Sequence, residues 1–190
     1  MKIQSIHLKH ILHFADLKVD FSYHDKPVTL ILGDQASGKT SILRFSYQAL
    51  TWFAARYKDL RSAGVVMLDH DIMLNRLQSK IDIQVAVPAE LYALKPTAAD
   101  TAPEPYTWQL YKTLNQQGIG ISRVETLELE QLVNLYQQAT LQDPLLGLPL
   151  IAYYPAERFV NEMNILSKNN PLIFQHAHAY EISAIPYTTS

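Results

Sequence analysis

The sequence predicts an α/β fold built on a mixed sheet, and three observations carry that prediction. Residues 14–22, FADLKVDFS, alternate, with Leu17, Val19 and Phe21 on one face and Asp16, Lys18 and Asp20 on the other, the pattern of a half-buried strand. Residues 28–32, VTLIL, form a continuous apolar run of the kind buried on both faces of a sheet. From Lys39 the period lengthens: Ile42, Leu43, Phe45, Leu50, Phe53 and Ala54 recur at threes and fours, as on an amphipathic helix.

The elements follow in chain order. The opening IQSIHLKH reads as extended and pairs antiparallel with the 14–22 strand through a short turn at Ile11 to His13. The 28–32 strand runs into Gly33, and the helix from Lys39 extends to about Leu60, before Gly64. Val65 to Asp69 is a short candidate strand, after which residues 70–80 look helical. Ile81, Ile83, Val85 and Val87 then alternate with polar neighbours as a strand. A Pro-rich loop at 88–105 follows, inside a strand-rich insertion or subdomain spanning 79–122. TWQLYKTL resumes the alternation, and Asn115 to Gly118 turn it back. Ser122 and Glu125 have capping-box spacing, predicting a helix from about Arg123 to Thr140. Leu148 to Tyr153 is a last apolar strand. The whole, 1–190, reads as a single partial domain.

The composition narrows the function classes. At 48% hydrophobic and 18% charged residues, the chain is globular rather than disordered. A net charge of -2 and a pI near 6.4 supply no basic excess for a protein held on nucleic acid by phosphate contacts alone. The lack of cysteine rules out disulfides and thiolate metal sites. No apolar stretch reaches the roughly 20 residues that cross a bilayer, and no basic start precedes a short apolar run as in a signal peptide. The expected address is cytoplasmic, with no membrane partner.

One motif carries chemistry. Gly33-Asp34-Gln35-Ala36-Ser37-Gly38-Lys39-Thr40 fits G-x-x-x-x-G-K-[ST], the phosphate-binding loop, between an apolar strand and a patterned helix. Glycines stand there because backbone amides must approach an anion closely and because the chain takes positive φ. The helix that opens at the loop adds about half a positive charge at its N-terminus. Residues 33–41, with Ser41 closing the set, are the expected nucleotide-binding residues. Lys39 is expected to reach the β- and γ-phosphates and to act catalytically, and the Thr40 hydroxyl to ligate Mg²⁺, which makes ATP and Mg²⁺ the expected ligands.

Hydrolysis asks for more: an acidic residue at a strand end to hold the metal, and a group to orient water. Asp69, after Val65-Val66-Met67-Leu68, is the candidate for the first role. Leu166-Ser167 opens like a Leu-Ser-Gly-Gly signature, but Lys168-Asn169-Asn170 breaks it. His7, His10 and His13 lie three apart, a spacing that a strand scatters, and His176 and His178 lack a third ligand. Tyr106, Trp108 and Tyr111 have only Lys112 close by, so they read as packing residues rather than a stacking platform for single strands. Phe45, Tyr47, Trp52 and Phe53 read as a helix-packing surface.

The order of two antiparallel strands, a third strand into the phosphate loop, a long helix and a strand-rich insertion resembles the N-terminal half of the SMC/RecF branch of ABC-type P-loop ATPases. Leu8-Lys9-His10-Ile11-Leu12-His13-Phe14 stands where that branch has roughly L-K-N-F-R-S-F. With Asp71-Ile72 and Tyr153-Tyr154-Pro155-Ala156-Glu157-Arg158, the chain is similar to predicted bacterial AAA/ABC-type ATP-binding proteins, some associated with anti-phage defence or DNA repair. Leu12 departs from the pattern, standing where relatives often place an arginine near the nucleotide. The resemblance implies a water- or γ-phosphate-sensing side chain after the 148–153 strand, for which Glu157 is the candidate, with Arg158 as its charge partner. It also implies a C-terminal half bearing the signature motif, the second acidic strand and the switch histidine. On that reading complete heads form a homodimer around ATP, nucleic acid is a candidate partner of the full-length protein, and this chain alone is nearly inactive. Two other readings stand beside it: a small self-contained P-loop kinase or NTPase using Asp69, and a non-catalytic module switched by nucleotide.

Overall fold

Alternating apolar side chains along four strands build the face on which everything else packs. The structure, a computed structural model, describes residues 1–23, 28–92, 104–115 and 120–154. β1 (Lys2–Ile11) and β2 (Phe14–Asp20) form the expected hairpin, with Ile6 opposite Val19 and Ile11 opposite Phe14. β3 (Gln78–Ala86) pairs with the other edge of β1, β4 (Tyr106–Leu114) with β3, and β5 (Gly120–Glu125) with β4. The spatial order is β2-β1-β3-β4-β5, and every pairing is antiparallel.

Register sets which side chains share the inner face. Ile6 lies opposite Ile83 and Leu8 opposite Ile81; across the next ladder Ile81, Ile83 and Val85 face Leu110, Trp108 and Tyr106. All of these are buried. α1 (Lys39–Lys58) and, after the one-turn α2 (Ala89–Tyr92), α3 (Leu127–Gln142) cover this face and pack on each other. α1 contributes Phe45, Ala49 and Phe53, and α3 contributes Leu129, Leu132, Val133 and Tyr136. Phe53 meets Tyr136 edge to face at 5.3 Å, a geometry that suits the aromatic quadrupole. The Trp108 indole, fully buried, donates to the Ala49 carbonyl at 3.0 Å and so ties β4 to the middle of α1. Of the aromatic residues read as packing residues, Phe45, Trp52, Phe53, Tyr106 and Trp108 are core, whereas Tyr47 and Tyr111 are half-buried.

Several expected elements differ. The capping-box pattern at Ser122 and Glu125 starts no helix; both residues lie in β5, paired with Lys112 and Gln109. Strand pairing outweighs local capping, and α3 begins after Thr126, whose hydroxyl donates to Glu130 at 2.8 Å. Residues 70–80 are not a helix: a 3-10 turn at Asp69–Asp71 is followed by the bridged Ile72 and a turn at Leu74–Asn75, where the Arg76 amide donates to the Met73 carbonyl, before β3 begins. That segment is drawn along the end of β1, with Ile11 bridged to Ile72 and the Met73 amide donating to the His10 carbonyl. Val65 to Leu68 joins no ladder. It is held instead from α1, where Trp52 Nε1 donates to the Val65 carbonyl and the Val65 amide to Thr51 Oγ1.

Neither apolar run, 28–32 or 148–153, forms a strand of the sheet. Val28, Leu30 and Leu32 are 74%, 77% and 81% exposed, whereas Ile31 packs partly against the core. The first run therefore has one face supported and the other bare. Leu148 and Ile151 likewise lean on the core while Leu150 projects into solvent. The Pro-rich residues 93–103 lie outside the described residues. No helix among the described residues is long and apolar enough to cross a membrane.

Candidate nucleotide-binding site

The loop at Gly33–Thr40 has the backbone its glycines imply. Ala36 and Gly38 take positive φ, 61° and 91°, and the Ser37 amide closes a turn onto the Asp34 carbonyl at 3.2 Å. Gly38 is the residue preceding α1, and no side chain caps the helix start. No acidic residue occupies the first helical turn, so the positive end of the helix dipole meets no competing carboxylate of its own. An uncapped helix end behind a tight turn is suited to an anion.

Lys39 curls back over this loop. Its ammonium donates to the Gly33 carbonyl at 2.7 Å, the Asp34 carbonyl at 2.5 Å and Ser37 Oγ at 3.2 Å, using the three donors an ammonium has. The lysine closes the mouth of its own loop, and a phosphate chain would exchange these neutral acceptors for anionic ones. Thr40 is exposed at the first turn of α1, and Ser41 is half-buried behind it.

Three neighbours fix the loop in the fold. The hairpin turn between β1 and β2 lies against Gly38. A Cβ built there would sit 2.6 Å from His13 Nε2 and closer still to Phe14 Cζ, so this glycine is required by contact as well as by φ. Further along α1, Arg44 Nη2 donates to Asp71 Oδ1 at 2.5 Å, and Asp71 is fully buried. The second oxygen of Asp71 accepts the Leu68 amide at 2.8 Å, and its carbonyl accepts the Leu12 amide at 2.8 Å. One aspartate thus joins the loop helix, the 68–73 segment and the hairpin turn.

Asp69, the candidate metal ligand, is engaged elsewhere. It begins the 3-10 turn rather than ending a strand, and it pairs with the buried Lys112 at 2.8 Å. The Lys112 hydrogen bond, the Lys112 charge and the Gly120 amide hold its carboxyl below the ordinary range. His7 is spoken for by Asp16 at 2.6 Å and Asp82 at 3.5 Å on the outer face of the sheet. Among the described residues no three metal-ligating side chains converge. Glu157, Arg158, Leu166, Ser167, His176 and His178 lie outside the described residues.

Sequence reasoning passed over Arg44, and met His13, Phe14 and Asp71 only as positions in a spacing or a resemblance, without giving them a place at the loop. His13 and Phe14 are called out only by contact with Gly38, which no periodicity encodes. Arg44 did carry a signal, a cation set between the apolar Ile42, Leu43 and Phe45 on the helix.

A family model described as an AAA domain matches residues 5–182, nearly the whole chain. The chain belongs to the AAA domain family. This AAA domain is 25% identical over 164 residues to the Retron Vc95 probable ATPase of Vibrio cholerae serotype O1 biovar El Tor. The match covers 84% of this chain and 29% of that protein, so the chain spans less than a third of its curated relative's length. Among solved structures it is similar to one described under ATP-driven dimerization and DNA stimulated activation of SMC ATPases, at TM-score 0.44 and 13% identity over 72% of this chain and 80% of that one. It is similar to the same degree, TM-score 0.44 and 13% identity, to an SmcHead bound to the C-winged helix domain of ScpA, over 71% of this chain and 40% of that one.

Proposed function

We propose that this AAA domain is the ATP-binding N-terminal lobe of an SMC/RecF-like ATPase, a single partial domain over 1–190 that grips the phosphates and needs a C-terminal half and dimerisation for hydrolysis. The observation that carries the reading is the loop itself, with positive φ at Gly38 and an uncapped helix start beneath the Lys39 ammonium. Residues 33–41 hold the phosphate chain, their amides and the helix end supplying the positive potential. Lys39 leaves the Gly33 and Asp34 carbonyls for the phosphates, and the Thr40 hydroxyl holds Mg²⁺, which neutralises charge on the phosphate oxygens. Glu157 is the proposed catalytic partner of Lys39, orienting water or sensing the γ-phosphate.

The need for further polypeptide is supported by the bare face of Val28, Leu30 and Leu32, directly upstream of the loop, and by the exposed Leu150. Apolar side chains in such numbers on strand-like segments fit a sheet completed by additional strands. The dimer of complete heads, access to nucleic acid through the full-length protein and a cytoplasmic address follow from the motif resemblance. The Asp69 kinase reading loses its support, because the carboxylate is occupied by Lys112.

Equilibrium binding of a fluorescent ATP analogue, steady-state hydrolysis and light scattering, each on wild type and Lys39→Ala, test the proposal. The expected result is weak binding that Lys39→Ala removes, with turnover by this chain no greater than background. Binding that survives Lys39→Ala would sink the loop assignment. Robust turnover abolished by Lys39→Ala would sink the partial-lobe assignment.

A further inference from the structure

We propose that His13 is a nucleotide-contacting residue that donates a hydrogen bond from its imidazole edge to the phosphate chain held by the 33–41 loop. The inference rests on the reading above and adds a side chain from outside the motif. The turn is built to present this residue. His10 and Leu12 take positive φ of 53° and 50°, the Leu12 amide is bonded to the Asp71 carbonyl, and the Leu12 side chain leans on the core. With Leu12 pinned inward, the next residue, His13, is the one left exposed at the turn.

Its orientation decides the chemistry. One face of the imidazole is covered by Phe14, with ring centroids 4.0 Å apart and planes tilted by 44°. The edge bearing Nε2 is directed at Gly38, where an added methyl would lie 2.6 Å from Nε2. A ring backed on one face and edge-on to the loop suits hydrogen bonding to phosphate better than stacking on a base. Lys39, the loop's own cation, reaches the loop from the start of α1, whereas His13 reaches Gly38 from the turn between β1 and β2, so the two donors come from different elements. Phe14 acts as a positioning residue, holding the ring against Gly38.

The test is binding of a fluorescent ATP analogue to the full chain, with inorganic tripolyphosphate as competitor, in wild type, His13→Ala, His13→Gln and Lys39→Ala, each checked by thermal melting. A hydrogen bond to a charged acceptor predicts that His13→Ala weakens both ATP and tripolyphosphate by about 10-fold. His13→Gln, which keeps an N–H donor, should recover most of that loss. Three results would overturn the inference alone: wild-type affinity in His13→Ala while Lys39→Ala abolishes binding, unchanged tripolyphosphate competition in His13→Ala, or His13→Gln no better than His13→Ala. Indifference to Lys39→Ala would instead take down the site and His13 with it.

Discussion

The Arg44–Asp71 pair makes the sharpest stability prediction. Asp71 is fully buried and has two strong donors in place, Arg44 Nη2 at 2.5 Å and the Leu68 amide at 2.8 Å; His70 Nε2 stands further off, at 3.9 Å. Arg44→Met keeps most of the stem packed on α1 and removes the guanidinium, leaving a buried carboxylate with one amide. Removing one partner of a buried pair costs about 3–5 kcal/mol. The Arg44 side chain is 31% exposed, so water screens part of the interaction and the low end, about 3 kcal/mol, is the expected loss. With a urea slope of about 2–3 kcal/mol/M, the unfolding midpoint falls by roughly 1–1.5 M. Asp71→Asn measured alone and with Arg44→Met completes a double-mutant cycle, and the double variant should lose clearly less than the sum of the singles. A loss within about 0.5 kcal/mol for Arg44→Met, the range of ordinary surface substitutions, would show that the carboxylate is not carrying an uncompensated charge and would refute the account.

Two further predictions follow from single groups. Gly38→Ala places a methyl against Phe14 and His13 at a φ of 91°; the left-handed backbone alone costs about 1–2 kcal/mol. Thermal melting should show a larger loss than that, and Phe14→Leu in the same background should restore only the part due to Phe14, the His13 contact remaining; a Gly38→Ala melt equal to wild type would refute the contact. Burial pushes the Tyr136 phenol up to about 12, against an ordinary value near 10 in the unfolded chain. Because the folded pKa is the higher one, this contribution is whole below about pH 10 and is lost as pH rises toward 12. Tyr136→Phe should flatten alkaline unfolding followed by circular dichroism over that window, and an unchanged profile would count against burial as the cause.

What was legible in the sequence is what local pattern determines. The β1–β2 hairpin, α1 and the alternation of β3 and β4 each follow from a period and stand where expected, and the glycine spacing at 33–38 is met by a positive φ at Gly38. Two of the failures share a physical cause, competition from a distant partner. Ser122 and Glu125 have a sound capping pattern, yet β4 offers them a full antiparallel ladder. The helical look of 70–80 yields to hydrogen bonds from β1, as in Met73 to His10. His13 against Gly38, and Arg44 against Asp71, are pairings across 25 and 27 positions that no window of sequence contains.

The run at 28–32, which forms no strand of the sheet, bears directly on how the loop is held. Behind the loop, α1 is locked by Phe45, Ala49 and the Trp108 indole into the sheet, and Arg44 binds it to the 68–73 segment. Ahead of the loop, only Ile31 is supported while Val28, Leu30 and Leu32 face solvent. The phosphate loop is therefore anchored firmly at its helix end and loosely at its strand end. Burying a Val or Leu side chain contributes about 1.5–3 kcal/mol, so strands added over these three would stabilise the segment by several kcal/mol and fix the Gly33 end of the loop. On the proposed reading, completing the sheet and organising the nucleotide site are then one event, and affinity for ATP rises as the lobe gains its missing half. On that same reading Val28, Leu30 and Leu32, all exposed in this structure, are the side chains that the added strands would bury.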